Sequence, residues 1–300
     1  MTSASTPFQD NRQTGAGAAS CRPASFTQLA IGRPQQIGSD GTETWIARGA
    51  NFVVAVSAVE AGSVIVQHDV PDESMLLLSP VVPVTVYVAD ANEKIDEEAL
   101  AIIPPGSARI VAHGSGLVVR IFSNAAADIC ALASNATAYD GDFSDVAPLE
   151  YWPDPVGGYR LRVYRLRDYS EDVGFGRIFR STNLMINIFH PSSGPRDLSL
   201  LSPHDHADFE QGSLTMEGEF IHYLRTPWGR DSLQWRADER IECSGCSLMV
   251  IPPNMLHTTS WSTTGARLID IFAPPRDDFS QKPWIRNAAD YPLPERLAAE

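Results

Sequence analysis

Three histidines and one glutamate in the C-terminal half constrain the fold of this sequence more than any other feature. His204, His206 and Glu210 lie close together, and His257 follows the turn Pro252-Pro253-Asn254. Positions 204, 206 and 210 share parity, so a strand would direct all three side chains to one face. A straight strand would separate His206 from Glu210 by ~13 Å, whereas metal ligands lie ~2 Å from their ion. The pattern therefore predicts one metal site and a bend within residues 207–212.

The residues around these histidines favour strands over a helix. A helix would align His206 with Glu210 but direct His204 elsewhere, and the flanking residues lack a helical period. The apolar run at residues 248–251, which ends at two prolines, predicts an adjacent strand that brings in His257. A lone histidine is usually a solvated or hydrogen-bonded residue, but four donors at this spacing favour a shared metal ion.

These residues resemble the two sequence motifs of the cupin superfamily. The first motif, HxH followed by Glu and then Gly, matches His204, His206, Glu210 and Gly218, with one residue more than usual before the glycine. The second motif matches Gly245, the proline turn and His257, with Trp261 where the family has Asn. Asn254 replaces the turn glycine but tolerates a left-handed backbone. The resemblance implies a small antiparallel β-barrel that holds a divalent metal through His204, His206, Glu210 and His257.

An internal repeat extends the pattern to the N-terminal half. A shift of 137 residues places Gln67, Asp69 and Glu73 under His204, His206 and Glu210. A shift of 148 residues places Pro104-Pro105-Gly106 and Arg109 under the second turn and His257, so we expect eleven extra residues in a longer hairpin around residues 226–231. The first copy lacks the imidazoles, and Arg109 would repel a metal ion. We therefore predict a bicupin with one degenerate site, in which Arg109 pairs with Asp69 or Glu73.

The sequence predicts an all-β fold of two tandem cupin barrels, each a double-stranded β-helix or jelly roll. Short apolar or alternating runs at residues 52–56, 85–89, 117–122 and 220–224 are punctuated by 22 prolines and 21 glycines. The expected divisions are a flexible arm (1–28), a degenerate barrel (29–138), a linker (139–160), a metal-binding barrel (161–273) and a tail packing on the barrel (274–300). That tail contains Trp284, Ile285 and Tyr291, which are too apolar to be left exposed.

The net charge indicates which classes of binding partner to expect. A charge of −14 argues against nucleic acid or an anionic membrane as the main partner and favours a small molecule. Arg225, Arg230 and Arg236 are candidates to bind an acidic substrate. The first ten residues lack the basic start and apolar core of a secretory signal, so a cytoplasmic location is expected. Exposed barrel edges make a homodimer plausible.

The donor set suggests the chemistry of the site. Three neutral imidazoles and a carboxylate suit one divalent ion per chain, Fe, Mn, Ni or Zn, with open positions for substrate, water or O₂. Among cupins with these ligands, the resemblance implies dioxygenases that cleave diketones, flavonols or aromatic acids, and oxalate-type oxidases and decarboxylases. Glu210 is also the candidate proton acceptor.

The predicted pocket favours an oxygen-chelating substrate with an apolar body. Thr259 and Trp261 share parity with His257 and would line the same cavity, together with the candidates His222, Tyr223 and Arg225. A hydroxylated aromatic acid or a diketone fits this description, and we expect an Fe(II)- or Mn(II)-type dioxygenase. A non-redox isomerase, lyase or decarboxylase, or a small-molecule-binding protein, would use the same metal site, because the fold does not determine the function.

Overall fold

The computed structural model describes residues 21–141, 143–150, 152–171 and 176–298, so most of the predicted arm lies outside the described residues. Within them the chain is nearly all β, with twenty strands. In chain order these are β1 (Ser25–Gln28), β2 (Gln36–Ile37), β3 (Glu43–Arg48), β4 (Phe52–Val59), β5 (Val64–Val70), β6 (Ser74–Leu78), β7 (Val84–Val88), β8 (Ala91–Ile95), β9 (Ala99–Ile103), β10 (Gly106–Ala112), β11 (Gly116–Ser123), β12 (Arg162–Arg165), β13 (Arg177–Arg180), β14 (Met185–Ile188), β15 (Gln211–Glu217), β16 (Glu219–Arg225), β17 (Glu239–Ser244), β18 (Ser247–Ile251), β19 (Leu256–Trp261) and β20 (Arg267–Phe272).

Helical segments are short and connect or flank the strands. They are α1 (Ala127–Leu132), α2 (Asp277–Ser280) and α3 (Glu295–Ala298), with single 3₁₀ turns at Ala136–Tyr139, Leu166–Tyr169 and Ser232–Gln234. Among the described residues, no helix is both long and apolar enough to cross a membrane. The five apolar runs picked out in the sequence lie within β4, β7, β11, β16 and β18, with residue 89 falling just past the end of β7.

Four antiparallel sheets build two barrels. In the first barrel a seven-stranded sheet, ordered β12-β9-β6-β11-β4-β3-β2, faces a four-stranded sheet, ordered β5-β10-β7-β8. In the second barrel a six-stranded sheet, ordered β1-β18-β15-β20-β14-β13, faces the three strands β17-β16-β19. The all-β double-barrel fold predicted from the sequence is therefore confirmed.

Each barrel includes one strand that the sequence places with the other barrel. Strand β1 precedes the first barrel in sequence, yet it pairs with β18 of the second, with Ser25 opposite Val250. Strand β12 precedes the second barrel, yet it pairs with β9 of the first, with Arg162 opposite Ile102. The predicted divisions at residues 28 and 161 therefore cut across ordered pairings, because a strand can complete a sheet that is remote in sequence.

The large sheets of the two barrels pack against each other through a shared apolar core. This core includes Phe52, Val54 and Ile121 from the first barrel and Ile186, Leu214 and Ile271 from the second. The tail contributes as well, since Ile285 and Tyr291 are buried and Ile285 forms a parallel bridge with Ile178.

The hairpin between β7 and β8 of the first barrel is much shorter than the matching hairpin between β16 and β17 of the second. Two residues separate β7 from β8, whereas thirteen residues, 226–238, separate β16 from β17. The eleven additional residues lie where the two repeat shifts predicted them. Because His257 lies opposite Leu224, near the end of β16, this long hairpin extends from the same end of the barrel as His257.

A bulge in the first barrel overturns the predicted role of Arg109. The β10–β5 register shifts between Gly106 and Ala108, which moves the strand by one position. Ala108 consequently joins the apolar interior, while Arg109 is exposed and its guanidinium lies 4.4 Å from the Tyr87 ring centroid. The predicted ion pair with Asp69 or Glu73 does not occur among the described residues; Asp69 accepts a hydrogen bond from Ser107 instead.

Candidate metal centre

Backbone pairing brings the three histidines of the motif together. His204 and His257 form an isolated antiparallel bridge, with N···O distances of 3.0 and 2.8 Å. The turn before His257 is closed at Asn254, which has φ +64° and donates its N–H to the His206 carbonyl at 2.6 Å. Asparagine is one of the few residues that adopt this left-handed conformation readily, so the turn keeps its shape without the usual glycine.

The imidazoles form a compact donor group. One ring nitrogen from each of His204, His206 and His257 lies within 4.8 Å of the others. His206 and His257 are buried, whereas His204 is exposed and lies on the solvent side of the group. Ring stacking fixes His206, whose centroid is 4.4 Å from that of Phe209 and 6.1 Å from that of Phe272.

Hydrogen bonds to carbonyls orient two of the rings. His204 Nδ1 lies 2.9 Å from the Ser202 carbonyl oxygen, and His257 Nδ1 lies 2.9 Å from the Met255 carbonyl oxygen. A carbonyl only accepts, so each Nδ1 carries the proton and each Nε2 of a neutral ring has a free lone pair. Metal-binding histidines commonly have their second nitrogen held in this way.

Gln211 supplies a fourth donor beside the rings. Its Oε1 lies 2.9 Å from His206 Nε2 and 3.4 Å from His257 Nε2, and its Nε2 donates to Asp270 Oδ1 at 3.1 Å. The His257 Nε2 and the Gln211 Oε1 therefore face each other with lone pairs only. Two facing lone pairs are unfavourable alone but suit a cation between them, so the residues present fit a divalent metal ion.

Glu210 is not part of this donor group, contrary to the prediction. Its Oε1 accepts from Arg22 Nη2 at 2.8 Å and its Oε2 accepts from the Ala50 N–H at 2.6 Å. Alternation along β15 sends neighbouring side chains to opposite faces, so Gln211 takes the position beside the histidines. The sequence carried a signal for this: six residues separate Gln211 from Gly218, which removes the extra residue noted in the motif.

Charge and burial keep the histidines neutral. Burial together with the nearby Arg276 guanidinium lowers the pKa of His206 to about 2, and burial together with the His204 imidazole lowers that of His257 to about 3. Burial also lowers the pKa of His204. Arg276 is held over the Phe279 ring at 3.6 Å and pairs with Asp278 at 2.7 Å. Neutral imidazole is the form that binds a metal.

Strand register sorts the predicted pocket residues into two groups. Thr259, Trp261 and His222 share the inner face with His257, because His222 lies opposite Thr259 and Leu224 lies opposite His257. His222 Nδ1 lies 2.9 Å from Thr259 Oγ1, and His222 is fully buried. The Trp261 indole N–H donates to the Gly194 carbonyl at 2.9 Å.

Two pocket candidates are wrong. Tyr223 and Arg225 lie on the outer face of β16, since they alternate with the inward His222 and Leu224. Arg225 is exposed and pairs with Asp238 instead. Arg236, proposed for an acidic substrate, donates to the backbone carbonyl of Cys21 at 2.6 Å and so holds the N-terminal segment.

Arg196 is a site residue that the sequence reasoning missed. Its guanidinium donates to the Thr259 carbonyl and, at 2.9 Å, to Ser202 Oγ, and it lies 5.3 Å from the Trp261 ring centroid. These contacts place a cation next to the segment that carries His204. Nothing near Arg196 in sequence forms a motif, so only the folded loop reveals its position.

Comparisons with known proteins support the fold. No family model and no curated protein matches the sequence. Among solved structures, protein Ylba from E. coli aligns with TM-score 0.54 and 11% identity over 87% of this chain and 94% of its own. An IolB-like protein from Salmonella typhimurium LT2 aligns with TM-score 0.52 and 10% identity over 91% and 97%.

A cupin 2 conserved barrel domain protein from Leptotrichia buccalis aligns with TM-score 0.44 and 10% identity over 83% and 98%. At these identities the likeness to Ylba and to the IolB-like protein shows the fold and leaves the activity open. The chain has an all-β double-barrel fold, with a three-histidine group that could hold a metal ion in its second barrel.

Proposed function

We propose that the second barrel holds one divalent metal ion through His204, His206 and His257, with Gln211 as the fourth donor. The observation that carries this proposal is the set of inward lone pairs, fixed on His257 by its Nδ1 contact to a carbonyl and on Gln211 by its amide contact to Asp270. Such lone pairs at one point repel each other unless a cation lies among them.

The proposed activity is that of an Fe(II)- or Mn(II)-type dioxygenase acting on a small oxygen-chelating substrate. Three imidazoles and an amide bring no negative charge, so a bound ion would keep its full charge. An anionic chelate, such as a hydroxylated aromatic carboxylate or the enolate of a diketone, would neutralise that charge on binding. The metal would supply a Lewis-acid or redox centre at its open positions.

The surrounding residues fit a substrate with an apolar body and polar ends. Phe209 and Phe272 wall the site beside His206 and exclude water there. His222 and Thr259 offer hydrogen bonds on the inner face of the barrel. Arg196 adds a positive charge near the exposed His204, where an acidic group of a substrate would enter.

One observation favours a second candidate function, a non-redox isomerase, lyase or decarboxylase. Glu210 is engaged by Arg22 and Ala50, so no carboxylate in the described part of the chain joins the donor group. A metal without an anionic ligand remains a stronger Lewis acid. Consumption of oxygen distinguishes the two candidates.

The test is metal analysis of the native protein beside His257→Ala, with the exposed His68→Ala as a matched control. We expect about one metal per chain in the native protein and in His68→Ala, and near none in His257→Ala. Anaerobic Fe(II) reconstitution followed by oxygen uptake with hydroxylated aromatic acids and diketones then tests the dioxygenase. Metal loss without oxygen uptake would favour the non-redox enzyme, and equal metal content in all three proteins would refute the site.

A further inference from the structure

The interior of the first barrel contains a buried arginine. Arg120 lies in β11, opposite Ala55 of β4 and Leu76 of β6, and only 5% of it is exposed. Period-two alternation gives Arg120 the same face as Val118 and Phe122, which both belong to the apolar interior of this barrel. The guanidinium therefore lies inside the barrel.

Arg120 lacks a charged partner. Its Nη2 is 3.4 Å from Ser57 Oγ, its Nε has no hydrogen-bond partner, and no ion pair to it occurs among the residues that the structure describes. Burial lowers the pKa of Arg120 only to about 10, so the side chain stays charged at neutral pH. A buried charge without compensation is strongly unfavourable, and native proteins normally pair it.

A second unpaired donor lies in the same layer of the barrel. Gln67 is 3% exposed; its Oε1 accepts from Ser74 Oγ at 3.4 Å, and its Nε2 has no partner in the described part of the chain. In β11, Arg120 lies between Val118 of one apolar cluster and Phe122 of another. In β5, Gln67 likewise lies between Ile65 of the first cluster and Val70 of the second. Arg120 and Gln67 both lie where these two clusters meet.

We propose that this layer of the first barrel binds a small monovalent anion, either a carboxylate of formate or acetate size or a halide. Unused N–H groups of Arg120 and Gln67 require an acceptor, and the guanidinium charge requires a negative one. Packed apolar clusters on both sides limit the anion to a few atoms. The proposal is independent of the metal site, because its residues and its barrel are different.

The experiment is thermal unfolding of the full chain in sodium formate, acetate or chloride, compared with sodium gluconate at the same ionic strength. Gluconate is too large for the layer and controls for general screening. With the small anions only, we expect the melting temperature to rise with the logarithm of anion concentration above the Kd, by about 2–4 °C for each tenfold increase. The ranking of formate, acetate and chloride identifies the preferred chemistry.

Matched variants locate the effect. Arg120→Met removes the charge at similar volume and should abolish the anion dependence, whereas Arg225→Met, on the outer face of the second barrel, should retain it. If Arg120→Met does not fold, Gln67→Leu serves as the test variant instead, and it should lower the affinity for the anion at least threefold. A response of equal size in gluconate, in Arg120→Met or in Gln67→Leu would overturn the proposal, since the anion would then act elsewhere.

Discussion

The two barrels share a strand plan and have opposite interiors. At the positions matched by the repeat, the second barrel presents lone pairs, on His204, His206 and Gln211, where the first has Gln67, Asp69 and Ser74. Asp69 is exposed, and the first interior instead directs the N–H groups of Arg120 and Gln67 inward. The same strand plan therefore suits a cation or an anion, depending on which polar atoms its strands direct inward.

One pair of matched residues has kept its role in both barrels. Glu210 accepts from the Ala50 N–H, in the turn between β3 and β4, at 2.6 Å. Glu73 accepts from the Thr182 N–H, in the turn between β13 and β14, at 3.1 Å. Each glutamate thus connects its own barrel to a hairpin turn of the other, so the repeat preserves the contact between halves rather than the donor set.

The largest expected effect is a loss of metal affinity when Gln211 of the second barrel is replaced by serine, the residue at the matched position 74 of the first barrel. Gln211→Ser removes the amide oxygen beside His206 and His257. We expect the metal affinity to fall about 10- to 100-fold, the usual size of such losses at a metal site, and Gln211→Glu to bind at least as tightly as wild type. Competition with a chelating dye measures this, and unchanged affinity in Gln211→Ser would exclude Gln211 from the site.

The paired glutamates should respond unequally to the same substitution. Glu210→Gln deprives Arg22 of its buried partner and should lower the free energy of unfolding by about 1–3 kcal/mol. Glu73→Gln should cost less than about 1 kcal/mol, because an amide can still accept from Thr182 and pair with the Tyr291 hydroxyl. Urea denaturation measures both, and loss of metal in Glu210→Gln would return that residue to the ligand set.

Acid should destabilise the metal-free protein through its buried histidines. The pKa of His206 is about 2 when folded and ~6.5 when unfolded. Below pH 6.5 the unfolded chain therefore binds a proton that the native chain does not. The free energy of unfolding consequently decreases as the pH is lowered. Relative to His206→Gln, wild type should lose about 2 kcal/mol between pH 7.5 and 5.

Chelator-treated protein, unfolded in urea across this range, provides the measurement. The carboxyls of Glu73, Glu210 and Asp270 have pKa values raised by burial and act in the opposite direction. They are present in both proteins, so the difference between wild type and His206→Gln isolates the imidazole. Parallel pH profiles would show that His206 is protonated in the native state.

The smallest effect should come from the outer face of β16. Arg225→Ala removes an exposed pair with Asp238, and such pairs contribute little. Metal content, activity and melting temperature should match those of wild type. His222 lies on the inner face of the same strand. His222→Ala should change turnover without removing the metal. Equal activity in both variants would show that neither residue belongs to the pocket.

Local patterns predicted much of this molecule. Alternating runs placed β4, β11 and β16, and the repeat shifts located the long hairpin, because period and length are properties of short segments. Motif spacing also predicted that His204, His206 and His257 lie close together, as they do. These features depend on neighbours in sequence.

The errors arose where one residue of register or a remote segment decides the outcome. The bulge at Gly106 exposed Arg109, and alternation exchanged Glu210 for Gln211. Both are shifts of a single position, which reverse the face of a side chain. The pairing of Glu210 with Arg22, nearly two hundred residues away, depends on tertiary contacts that no local pattern encodes.

The exchanged strand β1 has a consequence for the order of folding. Its partner β18 lies about 220 residues later in the chain. At ~5–20 residues per second, a ribosome needs roughly 10–45 s to synthesise the intervening segment. During that interval β1 has no native strand partner, although Arg22 can already pair with Asp145. The free edge of β1 is therefore open to chaperone binding until the second barrel has been synthesised.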